Sequence, residues 1–108
     1  MKDNAEQLVL AIDPAIRCGF AHTCGIFGTW DLSVTGSEHG GLRLDRLFKH
    51  IGAIAKEHGI DRIAFETSSH FTRGKSAIIA HSEFAAIIKL AAAQLRVPFS
   101  AYSIGQTM

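Results

Sequence analysis

The sequence is short of the residues that build special frameworks. Proline occurs twice, at Pro14 and Pro98, and cysteine twice, at Cys18 and Cys24. There is no CxxC and no paired Cys/His spacing, which argues against a structural zinc site. Cys18 and Cys24 are expected in one strand, facing the same side and too far apart to bond. Unpaired thiols of this kind fit a reducing, cytoplasmic setting. No apolar run approaches the roughly 18 residues of a membrane helix, so no membrane partner is expected. The start, MKDNAEQ, is polar and acidic, unlike a signal peptide. Strong charge is absent too. The net charge is +1, which argues neither for nor against a nucleic-acid partner. No repeat and no linker interrupts the chain.

What is present suits one globular domain. The 108 residues are 47% apolar and 19% charged, which excludes disorder and allows a single core over 1–108. Charge is unevenly spread. From Thr67 to Met108 the only acid is Glu83, against Arg73, Lys75, Lys89 and Arg96.

Leu8 to Ile12 is a continuous apolar block followed by Asp13 and Pro14. It reads as a central strand buried on both faces. An acid at its end is costly to desolvate. Asp13 is therefore either a turn cap or a ligand at the mouth of a site. Cys18 to Ile26 and Thr29 to Val34 read as two more strands, joined tightly as an antiparallel meander. Leu42 to His58 has a helical apolar stripe, Leu44, Leu47, Phe48, Ile51 and Ile54, and stops at Gly59. Asp61 to Glu66 is a fourth strand, also ending in an acid. Lys75 to Arg96 is a long helix, apolar nearly all round, as expected of a helix buried on more than one side. Phe99 to Ser103 is a fifth strand.

The order predicts an α/β fold, a five-stranded mixed sheet with flanking helices. The three-strand meander is joined by parallel strands through helical crossovers. Sites in such sheets form at the carboxyl ends of parallel strands. Asp13 and Glu66 both lie there and, on neighbouring strands, would be about 5 Å apart. Two adjacent carboxylates need a cation between them, and hard oxygen ligands select Mg²⁺ or Mn²⁺. The plain alternatives are a turn cap and a surface charge.

LVLAIDPAIRCGFAH and RIAFETSSHF, together with the order of elements, resemble the RuvC-like Holliday junction resolvases of the ribonuclease H-like superfamily. The resemblance covers nearly the whole chain. It implies a metal-dependent endonuclease acting on branched DNA, the four-way junction, with Mg²⁺ or Mn²⁺ as cofactor. Asp13 and Glu66 would be two of four metal-binding, catalytic carboxylates. The other two would lie on a helix beyond Met108, so the domain is expected to be incomplete at its C-terminal end. Ala15 departs from the family's usual glycine and would be strained if that turn required a positive φ.

The resemblance also implies an aromatic residue stacking at the junction and basic residues on phosphates. Phe71, with His70, Arg73 and Lys75, follows Glu66 in a position to serve, and Arg17, from its place in the first turn, would be a further phosphate contact. The plain alternatives are core packing for Phe71 and solvation for the bases. Ala85, Ala86 and Ala92 lie on a small-residue face of the long helix. The resemblance makes that helix the contact of a two-fold homodimer. Burial against the chain's own sheet competes for the same face. Two rival functions stand beside the nuclease: a non-catalytic ribonuclease H-like DNA-binding or structural dimer module, and a fragment of an actin-like ATPase.

Overall fold

The structure, a computed structural model, describes residues 7–36, 39–67 and 75–102. The elements are β1 (Val9–Asp13), β2 (Arg17–His22), β3 (Phe27–Asp31), α1 (Gly41–His58), β4 (Arg62–Glu66), α2 (Lys75–Leu95) and β5 (Phe99–Tyr102). They form one five-stranded sheet in the order β3-β2-β1-β4-β5. β1, β2 and β3 pair antiparallel, while β4 and β5 run parallel to β1. This is the mixed α/β sheet expected from the element order.

Both helical crossovers advance the same way across the sheet, from β3 to β4 and from β4 to β5. With the usual right hand they fall on the same face. The core lies there. Leu10, Ile12, Cys18, Trp30, Ile63 and Phe65 from the strands meet Leu47, Ile51 and Ile54 of α1 and Phe84, Ile88, Ala91 and Ala92 of α2. Phe65 alone, 1% exposed, contributes about 2–3 kcal/mol by burial.

This arrangement corrects the expectation of a doubly buried β1. Leu10 and Ile12 are buried, but Val9 and Ala11 are only partly covered and Asp13 is exposed. Among the described residues no helix covers the second face. The apolar block of β1 is continuous because Ala11 is small enough to sit on a half-open face.

α2 is corrected in the same sense. Its buried residues, Phe84, Ile88, Ala91 and Ala92, line one side, and Ile79 and Leu90 are 50% and 47% exposed. The stretch Ile78–Leu95 is long and apolar enough to cross a membrane by length and composition, which the count of unbroken apolar residues missed. Glu83 and Lys89 interrupt the run.

The β2–β3 turn comes earlier than expected. β2 stops at His22, so Cys24 lies in the turn, exposed, while Cys18 is buried in the strand. Both thiols are free. Gly25 takes φ 109°, which the turn requires. Gly59 ends α1 at φ 83°, and a Cβ there would lie 3.0 Å from Leu8 Cδ1.

At the other helix end, Arg96 occupies the left-handed region with φ 60°. Its N–H donates to Ala93 O, and Val97 N–H donates to Ala92 O. This is the paired closure of a Schellman ending, followed by Pro98. Ala15 has no positive φ, so the expected strain is not there.

Candidate functional site

β1 ends at Asp13 because Pro14 has no N–H to extend the ladder and holds the preceding residue extended. β4 pairs with β1 in parallel: Val9 with Arg62, Ala11 with Ala64, Ile12 with Phe65. One further step of the register sets Asp13 beside Glu66, the last residue of β4, with about 5 Å between strands. Alternation puts both on the uncovered face, because Ile12 and Phe65 point into the core. Asp13 is exposed and Glu66 half-buried.

Asp13 pairs on its other side with Gly19, and Glu66 with Tyr102. A Cβ at Gly19 would sit in ordinary contact with Asp13 Cβ, at 3.7 Å. A shallow depression of about 400 Å³ runs over this part of the sheet. Ala11, Asp13, Gly19 and Ala21 form its floor, and Phe27 and Tyr102 flank it. Phe27 is 79% exposed.

Arg17 opens β2 on this same face, in register with Asp31. Hydrogen bonds from the Ser33 hydroxyl and N–H hold the Asp31 carboxyl below its ordinary range, and the charges of Arg17 and Arg46 add to this. Beneath the turn, burial pushes the Cys18 thiol up to about 11. A hydrogen bond with the Ala15 backbone opposes that rise, and the Asp13 charge adds to it.

The end of β4 is held from two sides. Thr67 N–H and Oγ1 both donate to Tyr102 O, at 2.6 and 3.0 Å. His81 of α2 places Nε2 3.0 Å from Glu66 O.

The structure thus brings together Asp13, Glu66 and, two residues along the neighbouring strand, Arg17. His70, Phe71 and Arg73 lie outside the described residues. Lys75 is the first residue of α2, and its side chain also lies outside them. The expected dimer residues separate. Ala86 is exposed, Ala85 packs partly against the core, and Ala92 is 1% exposed inside it. Ala92 therefore closes this chain's own core and has no surface for a second copy.

Tyr102 and His81 were missed by sequence reasoning. Tyr102 ends β5 as Glu66 ends β4, so the parallel order itself contained the signal. A histidine inside an apolar helix carries none. Among the described residues, no three His, Cys, Asp or Glu side chains cluster as a metal centre. The candidate is a pair.

No family model and no curated protein matches the chain. Among the solved structures similar to it are two of RuvC. One is RuvC of Thermus thermophilus in complex with a Holliday junction substrate, at TM-score 0.74 and 17% identity, covering 92% of this chain and 64% of that one. The other is a Thermus thermophilus RuvC structure, at TM-score 0.67 and 18% identity, covering 90% of this chain and 64% of that one. The chain thus spans 64% of the length of each. At such identity the likeness is one of fold: the chain has the five-stranded mixed α/β fold of these RuvC structures.

Proposed function

We propose that the protein belongs to a RuvC-like, metal-dependent endonuclease that hydrolyses phosphodiesters of branched DNA. The observation that carries this reading is the placement of Asp13 and Glu66 at the carboxyl ends of adjacent parallel strands, on one open face.

The donor set fits a hard divalent cation in part: two carboxylates, oxygen only, one strand spacing apart. When bound, Mg²⁺ or Mn²⁺ would supply Lewis-acid polarisation of a phosphoryl oxygen. Asp13 and Glu66 would hold it and, without it, repel a phosphate. Arg17 adds a positive charge on the same face for the DNA backbone.

The test compares a four-way junction with linear duplex of equal length in gel shifts across salt, beside cleavage in Mg²⁺. Preferred binding to the junction, falling steeply with salt, is expected. No preference for the junction overturns the reading. The 108-residue chain is expected to bind without cutting, because two-metal hydrolysis needs ligands around both ions and this reading supplies two carboxylates. Cleavage lost in Asp13→Asn would show that the pair suffices. Mn²⁺ should also raise the melting temperature slightly, as a weak ligand does. That shift should vanish in Asp13→Asn and in Glu66→Gln. Junction binding with no such shift supports the rival non-catalytic DNA-binding module.

The reading includes a two-fold homodimer through α2. Ile79, Ala86, Leu90 and Ala93 lie on one helical face and are exposed. Leu90→Glu should give a folded monomer in sedimentation where wild type associates. A wild-type monomer at every concentration removes the dimer.

A further inference from the structure

The parallel ladder leaves one carbonyl of the site without its partner. Arg62 N–H donates to Leu8 O, whereas Ile63 N–H donates to Pro98 O and Thr67 N–H to Tyr102 O. Residues 62, 64 and 66 of β4 therefore turn their backbone groups toward β1, and 63, 65 and 67 turn theirs toward β5. In a parallel ladder each such residue accepts from the residue one beyond its partner. For Glu66, whose partner is Asp13, that donor position is Pro14. Proline has no N–H. The Glu66 carbonyl is an orphan of the sheet, and a part-buried carbonyl needs a donor from elsewhere.

His81 supplies it. Its Nε2 lies 3.0 Å from Glu66 O, from a helix packed on the other face of the sheet. The carbonyl can only accept, so this nitrogen donates. We infer that His81 is a positioning residue for Glu66, replacing the ladder hydrogen bond that Pro14 cannot make. The bond holds the peptide that follows Glu66 Cα, just where the strand ends. On the β5 side, Thr67 holds the next residue to Tyr102 O. Without His81, one side of that peptide is untethered, and the Glu66 carboxylate is freer to turn from Asp13. This rests on the reading of Asp13 and Glu66 as a metal-holding pair.

The experiment compares His81→Gln with His81→Asn. The Gln amide reaches the position of Nε2, while the Asn amide stops near that of Nδ1. Both variants stay polar and similar in size. Mn²⁺ titrations are followed by paramagnetic broadening of the Gly19 and Thr67 amide signals, with melting curves to check folding. Losing a residue that orients a metal ligand typically weakens affinity at least about tenfold. His81→Asn should move the Mn²⁺ midpoint up by about that factor, and His81→Gln should stay near wild type. Adding Pro14→Ala to His81→Asn restores an N–H at the ladder position and should return the midpoint toward wild type. A folded His81→Asn with the wild-type midpoint overturns the inference and leaves the metal pair standing. A midpoint unchanged in Glu66→Gln overturns the metal pair and the inference together.

Discussion

The imidazole of His22 and the carbonyl of Gly59 meet at 2.8 Å, tying the β2–β3 turn to the end of α1. On the other side of the ring, Cys24 N–H donates to Nδ1 at 2.9 Å. Nδ1 must then be bare, and Nε2 carries the proton that Gly59 O accepts. His22 is 5% exposed. His22→Phe keeps the bulk and removes both partners. Leaving a buried group unsatisfied costs about 1–3 kcal/mol, so His22→Phe should lower unfolding stability by about 2 kcal/mol or more. Urea denaturation measures this, and an unchanged midpoint would mean that both groups find water instead.

The two thiols should react very differently. Burial raises the Cys18 thiol to about 11, and the thiolate is the reactive form. Cys24 is exposed. Iodoacetamide at pH 8 should label Cys24 and spare Cys18 in the folded protein, then label both in urea. Mass spectrometry of the peptides decides it, and equal labelling without urea would contradict the packing of β2 against the core.

Arg96 has a left-handed backbone, which costs a residue with a Cβ about 1 kcal/mol. Arg96→Gly should remove that strain at the α2 ending, where glycine is the usual occupant. Glycine's greater unfolded-state freedom opposes part of the gain. The expected result is stabilisation of up to about 1 kcal/mol. A clear loss would mean that the Arg96 side chain holds more of the helix end than the backbone does.

Trp30, the only tryptophan, is stacked between two rings. Its ring lies 4.2 Å from Phe20 and 4.8 Å from His50, nearly parallel to both. Burial lowers the His50 pKa below its ordinary 6.5. Well above pH 6.5 the ring is neutral whether the chain is folded or not. As pH falls below 6.5, the unfolded chain takes the proton first, so stability declines on the acid side. Trp30 fluorescence in urea titrations at pH 7.5 and pH 5.5 should show this decline, and His50→Phe should reduce it. An equal decline in His50→Phe would assign the effect to other histidines.

The acidic strand ends could be read from the sequence because their signal is local. Apolar residues run directly into Asp13 and Glu66, and Pro14 marks the end of β1. The apolar stripe of α1 repeats every three or four residues, and Gly59 stops it. The boundaries of β2 were harder, because the turn is closed by Cys24 N–H donating to the His22 ring and Gly25 N–H donating to His22 O, rather than by turn residues alone.

The sequence by itself determined the kinds and order of elements, and it placed one acid at the end of each of two strands. Those features depend on neighbouring residues, period and backbone chemistry. Only the tertiary structure decided which faces are covered. A run such as β1, or an all-apolar helix such as α2, looks the same whether one face or two is buried. The choice depends on where the crossovers place the helices, and here both lie on one face. Ala92 went into the core and Ala86 to the surface for that reason. The tertiary structure also decided that the Glu66 carbonyl faces Pro14 and draws its hydrogen bond from His81, fifteen residues along the chain. No local pattern encodes that contact, because it exists only once β1, β4 and α2 are packed together.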